Sequence, residues 1–93
     1  MSDEIKIEYK FRRNPHFRFQ YEEAQAGYVL LFPEGMVKLN GGAGEVMRRL
    51  DGKKTVEMLI QELKAAFPDV PDIVGDVLGM LRLGSEKNWI ERV

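Results

Sequence analysis

The sequence contains no cysteine, which removes disulfides, thiolate metal sites, iron–sulfur ligation and cysteine nucleophiles together. It has a single histidine, His16, beside Pro15 in a basic stretch, so a histidine metal pair or a histidine-based catalytic pair cannot form and His16 reads as a surface residue. Long hydrophobic runs are missing too: the longest is Tyr28 to Phe32. A membrane-spanning helix needs about 20 apolar residues and a secretory signal a core of about 7 to 15, so neither a membrane span nor export is expected, and a reducing cytoplasm is the expected location. Net charge is small, -1, which gives no global bias toward nucleic acid or membrane surfaces.

What is present is an ordinary globular composition in 93 residues, with 44% hydrophobic and 31% charged positions, enough for one modest core and too little for two. The charge is uneven. Lys6, Lys10, Arg12, Arg13 and Arg18 stand against Glu8 alone, five cations to one acid, a local excess of +4 over residues 6 to 18. A basic arm can track phosphates, but a solvated, partly mobile terminus accounts for the same pattern. The expected organisation is a basic N-terminal arm over residues 1–14 and a single domain over 15–93.

Phe17, Phe19 and Tyr21 alternate with Arg18, Gln20 and Glu22, the period of a half-buried strand. A polar link ending in Gly27 precedes the apolar run 28–32, and Pro33-Glu34-Gly35 reverses the chain into a third short strand over Met36 to Leu39. Asn40 is placed to cap a first helix over about 41–51, with Val46, Met47 and Leu50 on one face and Gly52 as its left-handed stop. Gly41, Gly42 and Gly44 each cost about 1 kcal/mol against alanine inside a helix, so its first turn is expected to fray. Thr55 caps a second helix whose apolar residues Val56, Leu59, Ile60, Leu63 and Phe67 follow helical spacing. Pro68 and Pro71 break it, Asp72 opens a third helix over 72–88, and Trp89-Ile90 closes the chain. Three strands followed by three helices make an α+β domain, winged helix-turn-helix-like in order, with the third strand paired on one side only.

The apolar residues Ile73, Val74, Val77, Leu78, Met80 and Leu81 of the third helix spread over roughly 160°, wider than the stripe of about 100° that one core contact requires. Deep burial on two sides would absorb that excess. So would a groove beside the open third strand, since an exposed edge next to an apolar helix face can accept an extended peptide through backbone hydrogen bonds. Only Lys38 and the brevity of the strand guard the edge against such pairing. Proline at Val37 or Leu39 is therefore expected to remove a strand amide and weaken peptide binding while the helices survive. An open edge also offers a route to a homodimer.

Catalytic and nucleotide motifs fail in detail. Glu22 and Glu23 point to opposite faces and form a poor acid–base pair. GGAG at 41–44 and DGKKT at 51–55 approach a phosphate loop, but Met47 stands where glycine is needed and Lys54 where serine or threonine is needed. A winged-helix nucleic-acid-binding or regulatory protein is the alternative to a peptide binder. The third helix opposes it with Asp72, Asp76 and Glu86 against Arg82 and Lys87, because a groove-reading helix needs a basic face.

The segments FRFQYE at 17–22, VLLFPEGMVKLN at 29–40 and LDGKKTV at 50–56 together resemble the PqqD family of pyrroloquinoline quinone (PQQ) biosynthesis, a resemblance that runs from about Arg12 to Ile90. It implies a small winged-helix-like peptide-recognition domain that is not an enzyme and holds no cofactor or metal. It implies two partners: the precursor peptide PqqA, for which the family acts as chaperone, and the radical S-adenosylmethionine enzyme PqqE, which cross-links a glutamate and a tyrosine of that peptide. The leader of the peptide is expected to add as a strand to the third strand and lie against the third helix. Joined to the helical phase, this gives as candidate peptide-binding residues Met36, Val37, Lys38, Leu39, Asn40, Val74, Val77, Leu78 and Leu81, with no nucleic-acid or membrane partner.

Overall fold

The computed structural model describes residues 4–39 and 41–93. Six strands and three helices follow one another as β1 (Lys10–Arg13), β2 (Arg18–Glu22), a 3-10 turn at Glu23–Gln25, β3 (Gly27–Phe32), β4 (Gly35–Lys38), α1 (Gly41–Arg48), β5 (Asp51–Thr55), α2 (Val56–Ala66), α3 (Ile73–Glu86) and β6 (Ile90–Arg92). The expected meander is present as the antiparallel sheet β2-β3-β4. A second antiparallel sheet, β5-β1-β6, was not expected.

That second sheet changes the reading of the N-terminus. Residues 10–13, placed in a mobile arm by charge alone, form its central strand, and the expected boundary at residue 14 falls inside an ordered segment. Phe11 is buried and supplies the one apolar anchor. Beside it the Arg13 guanidinium donates to the carbonyls of Met47, Arg48 and Leu50, at 2.8, 3.3 and 3.1 Å, and so ties β1 to the end of α1 and the turn that follows it. Asn14 is buried with both ends used: its amide donates to the Asn88 carbonyl at 2.8 Å and its side-chain oxygen accepts from the His16 N–H at 2.9 Å. Arg13, and Arg12 through its ion pair with Glu91, are bound into the fold.

Helix α1 ends at Arg48, three residues before the expected limit, because Asp51 and Gly52 enter β5. Gly52 does take the left-handed conformation assigned to it, with φ 76°, but within a bulged strand. The Asp51 carboxylate accepts from the backbone amides of Lys53 and Lys54 at 2.8 and 2.9 Å, which fixes the bulge. Those two bonds, Lys54 first, hold its carboxyl below the usual range. Gly44, counted against the helix on propensity, has a packing reason: a Cβ there would lie 2.9 Å from Cδ2 of Tyr28, so its absence lets α1 approach β3.

Helices α2 and α3 form as their spacing predicts. The Thr55 hydroxyl accepts from the Met58 amide at 3.2 Å, and the Asp72 carboxylate from the Gly75 amide at 3.0 Å. Thr55→Ala leaves that first-turn donor without its cap, and the expected loss is about 1 kcal/mol; a lowered urea midpoint with unchanged slope is the measurement. One core joins both sheets and all three helices, with Leu30, Met47, Val56, Leu59, Val77 and Leu81 essentially inaccessible at its centre.

Candidate functional site

Strand β4 lies at the edge of its sheet, paired only with β3 through Leu31↔Met36, Leu30↔Val37 and Val29↔Lys38. The Leu39 amide donates to the Tyr28 carbonyl at 3.0 Å. In an antiparallel pair the residues that exchange bonds alternate with residues that do not. With 28 and 39 bonded, the bonded positions on β4 are Leu39, Val37 and Gly35. Met36 and Lys38 therefore turn their N–H and C=O groups away from β3, toward the open edge.

This alternation corrects the proline test suggested by sequence. The amides of Val37 and Leu39 serve the internal ladder, so proline there damages the sheet itself, whereas the amide available to an incoming strand belongs to Met36 or Lys38. Position within a strand was legible in the sequence; the bonding phase was not, because it depends on which residue of β3 lies opposite.

Side chains sort the candidates further. On β4, Met36 is 41% exposed and Lys38 is exposed, Val37 is half-buried, and Leu39 is buried. Asn40 lies outside the described residues. On α3, Val74 is 38% exposed and Leu78 half-buried, while Val77 and Leu81 are 1% and 0% exposed and belong to the core. Leu39, Val77 and Leu81 thus belong to the core and offer no accessible side chain. Of the candidates among the described residues, Met36, Val37, Lys38, Val74 and Leu78 keep exposed or half-buried side chains. Val37 and Leu78 both pack against the margin of the core, which fixes the two elements that carry them.

Three other strand edges exist among the described residues, and each is less suited. β5 is bulged, β6 is three residues long, and the outer face of β2 carries Arg18 with a Gln20 amide that donates to the Glu22 carboxylate. A recess of about 810 Å³ lies away from β4, against β1 and β6, where Tyr9, Phe11 and Ile90 line it. Charged groups near it on α3 include both signs, Arg82 and Glu86.

No cluster of three or more histidine, cysteine, aspartate or glutamate side chains that could hold a metal occurs among the described residues, and no helix is long and apolar enough to cross a membrane. Glu45 is held below the usual carboxylate range, chiefly by a hydrogen bond from Arg49. This contact, four residues apart, ties α1 to the residue just past its end. Neither it nor Asp51 stands on β4.

A family model described as Coenzyme PQQ synthesis protein D (PqqD) matches residues 27–90. The chain is 48% identical over 75 residues to a PqqA binding protein of Pseudomonas aeruginosa, strain UCBPP-PA14, covering 81% of this chain and 82% of the relative. It is 43% identical over 77 residues to a PqqA binding protein of Acinetobacter baumannii, strain AYE, covering 83% and 82%. Among solved structures it is similar to the PqqD truncation of Methylobacterium extorquens PqqCD, described as a functional and stand-alone recognition element for ribosomally synthesized and post-translationally modified peptides. The TM-score is 0.72 at 31% identity, with 88% of each chain covered.

Proposed function

The chain belongs to the PqqD family, and from that membership we propose that it is a peptide chaperone of PQQ biosynthesis, non-catalytic, that binds the precursor peptide PqqA by strand addition to β4 and presents it to PqqE. The observation that carries this reading is the open edge at Met36 and Lys38, whose unpaired backbone groups supply a donor and an acceptor at alternate residues. In this reading the peptide also meets the accessible α3 residues Val74 and Leu78, while its residue facing Val37 turns to the core side of the sheet and its neighbours point the other way. Relatives named as PqqA binding proteins support the choice of peptide.

Binding in this mode needs little rearrangement, since the edge is preformed and Leu39, Val77 and Leu81 are fixed in the core. We place the protein in the cytoplasm with its partner enzyme. The same edge is where two copies would pair, in competition with the peptide.

A nitrogen–proton NMR titration with PqqA peptide tests the reading. The amides of Met36 and Lys38 are expected to move most, followed by those around Val74 and Leu78. If saturating peptide leaves these four unmoved while others shift, strand addition at β4 is wrong and the peptide sits elsewhere.

A further inference from the structure

Lys38 carries two features at once. Its backbone groups face the open edge, and its side chain stands on the sheet face opposite Val37. The pairings Gln20↔Val29 and Val29↔Lys38 set one row of side chains on that face, and Arg18↔Leu31 and Leu31↔Met36 set the next. Neither row gives Lys38 an acid, and Glu22, which shares that face two strands away beside Gly27, accepts from the Gln20 amide instead. Ion pairs among the described residues gather elsewhere, with Arg12 on Glu91, Arg48 and Arg49 on Glu45, and Arg49 and Lys54 on Glu62. Lys38 is left as an exposed cation at the point where a new strand would lie.

An added strand extends both rows by one residue. In either direction, the residue opposite Lys38 and the residue opposite Met36 share the outer face, and the one between them turns toward Val37. We propose that Lys38 sets the register of the bound segment, which places an acidic residue opposite Lys38, an apolar residue next to it facing Val37, and a second apolar residue opposite Met36. This rests on the strand-addition reading. A one-residue slip would put the acid against the core margin and an apolar residue against the ammonium group, so both errors penalise the same wrong register.

A simpler role exists for an edge lysine, which is to deter unwanted strand pairing. The two roles differ in their response to charge reversal. Lys38 is exposed and belongs to no ion pair among the described residues, so Lys38→Glu keeps the domain folded, as circular dichroism will report. By calorimetry Lys38→Glu is expected to bind PqqA peptide about fivefold more weakly, since exposed cross-strand pairs are worth up to about fivefold and reversal replaces attraction by repulsion. In a set of peptides with each acidic residue changed singly to lysine, one and only one is expected to recover affinity for Lys38→Glu. Lys38→Gln should lose most of the salt dependence.

The proposal is overturned if Lys38→Glu binds as tightly as the natural protein, or if no single peptide acid couples to position 38, while the Met36 and position-38 amides still shift. Should those amides not shift with the natural protein, the strand-addition reading itself fails and the register assignment falls with it.

Discussion

Lys38→Pro is expected to weaken PqqA binding by about tenfold or more without loss of fold. Proline removes the one N–H that position 38 offers an incoming strand, a net loss of about 0.5 to 1.5 kcal/mol, and its ring fills the space where that strand's carbonyl would approach. Nothing internal is lost, because the Lys38 amide does not bond β3. Leu39→Pro is the control with the opposite signature. It deletes the 3.0 Å bond to the Tyr28 carbonyl and forces a ring into a buried position, so a stability loss of about 3 kcal/mol is expected. Calorimetry against peptide and thermal melts on both variants separate the two effects. Equal affinity of Lys38→Pro and the natural protein would exclude β4 as the docking edge.

The sequence showed most of the elements whose signal is local. Spacing and caps placed α2 and α3 within two residues, since Thr55 and Asp72 are real caps and the apolar stripes face the core. Proline and glycine in Pro33-Glu34-Gly35 marked the β3–β4 reversal, closed by the pair Phe32↔Gly35. Strands β1 and β5 escaped because their order is non-local. Lys10-Phe-Arg-Arg has one apolar residue and Asp51-Gly-Lys-Lys-Thr has none, so neither alternates. They are strands because they pair with each other, Lys10↔Thr55 and Arg12↔Asp51, across some forty residues of chain, and because β6 pairs with β1 on its other side. Charge on a segment says little when its arginines cap a helix end, as Arg13 does.

The same limit governs the site, and Leu81→Ala exposes it. Helical phase gives the angle between residues of α3 but not the direction of the core. The buried set Ile73, Val77, Met80, Leu81 and Gly84 fixes that direction, and Val74 and Leu78 lie to one side of it. Leu81, fully inaccessible at the centre of the core, is expected to lose about 2 to 5 kcal/mol on truncation to alanine, through lost burial and the cavity left behind. That is a large part of the stability of about 5 to 15 kcal/mol usual for a domain. Peptide affinity of the molecules that remain folded should stay the same, because Leu81 does not reach the surface. Leu78→Ala reverses the balance: half-buried, it should cost roughly 1 kcal/mol of stability and lower peptide affinity several-fold through lost contact with the segment beside Val37. Urea unfolding and calorimetry at low temperature measure both quantities on both variants. If Leu81→Ala weakened binding as much as Leu78→Ala at equal folded fraction, the peptide would have to reach the core itself, and the placing of Leu39, Val77 and Leu81 out of its reach would be wrong.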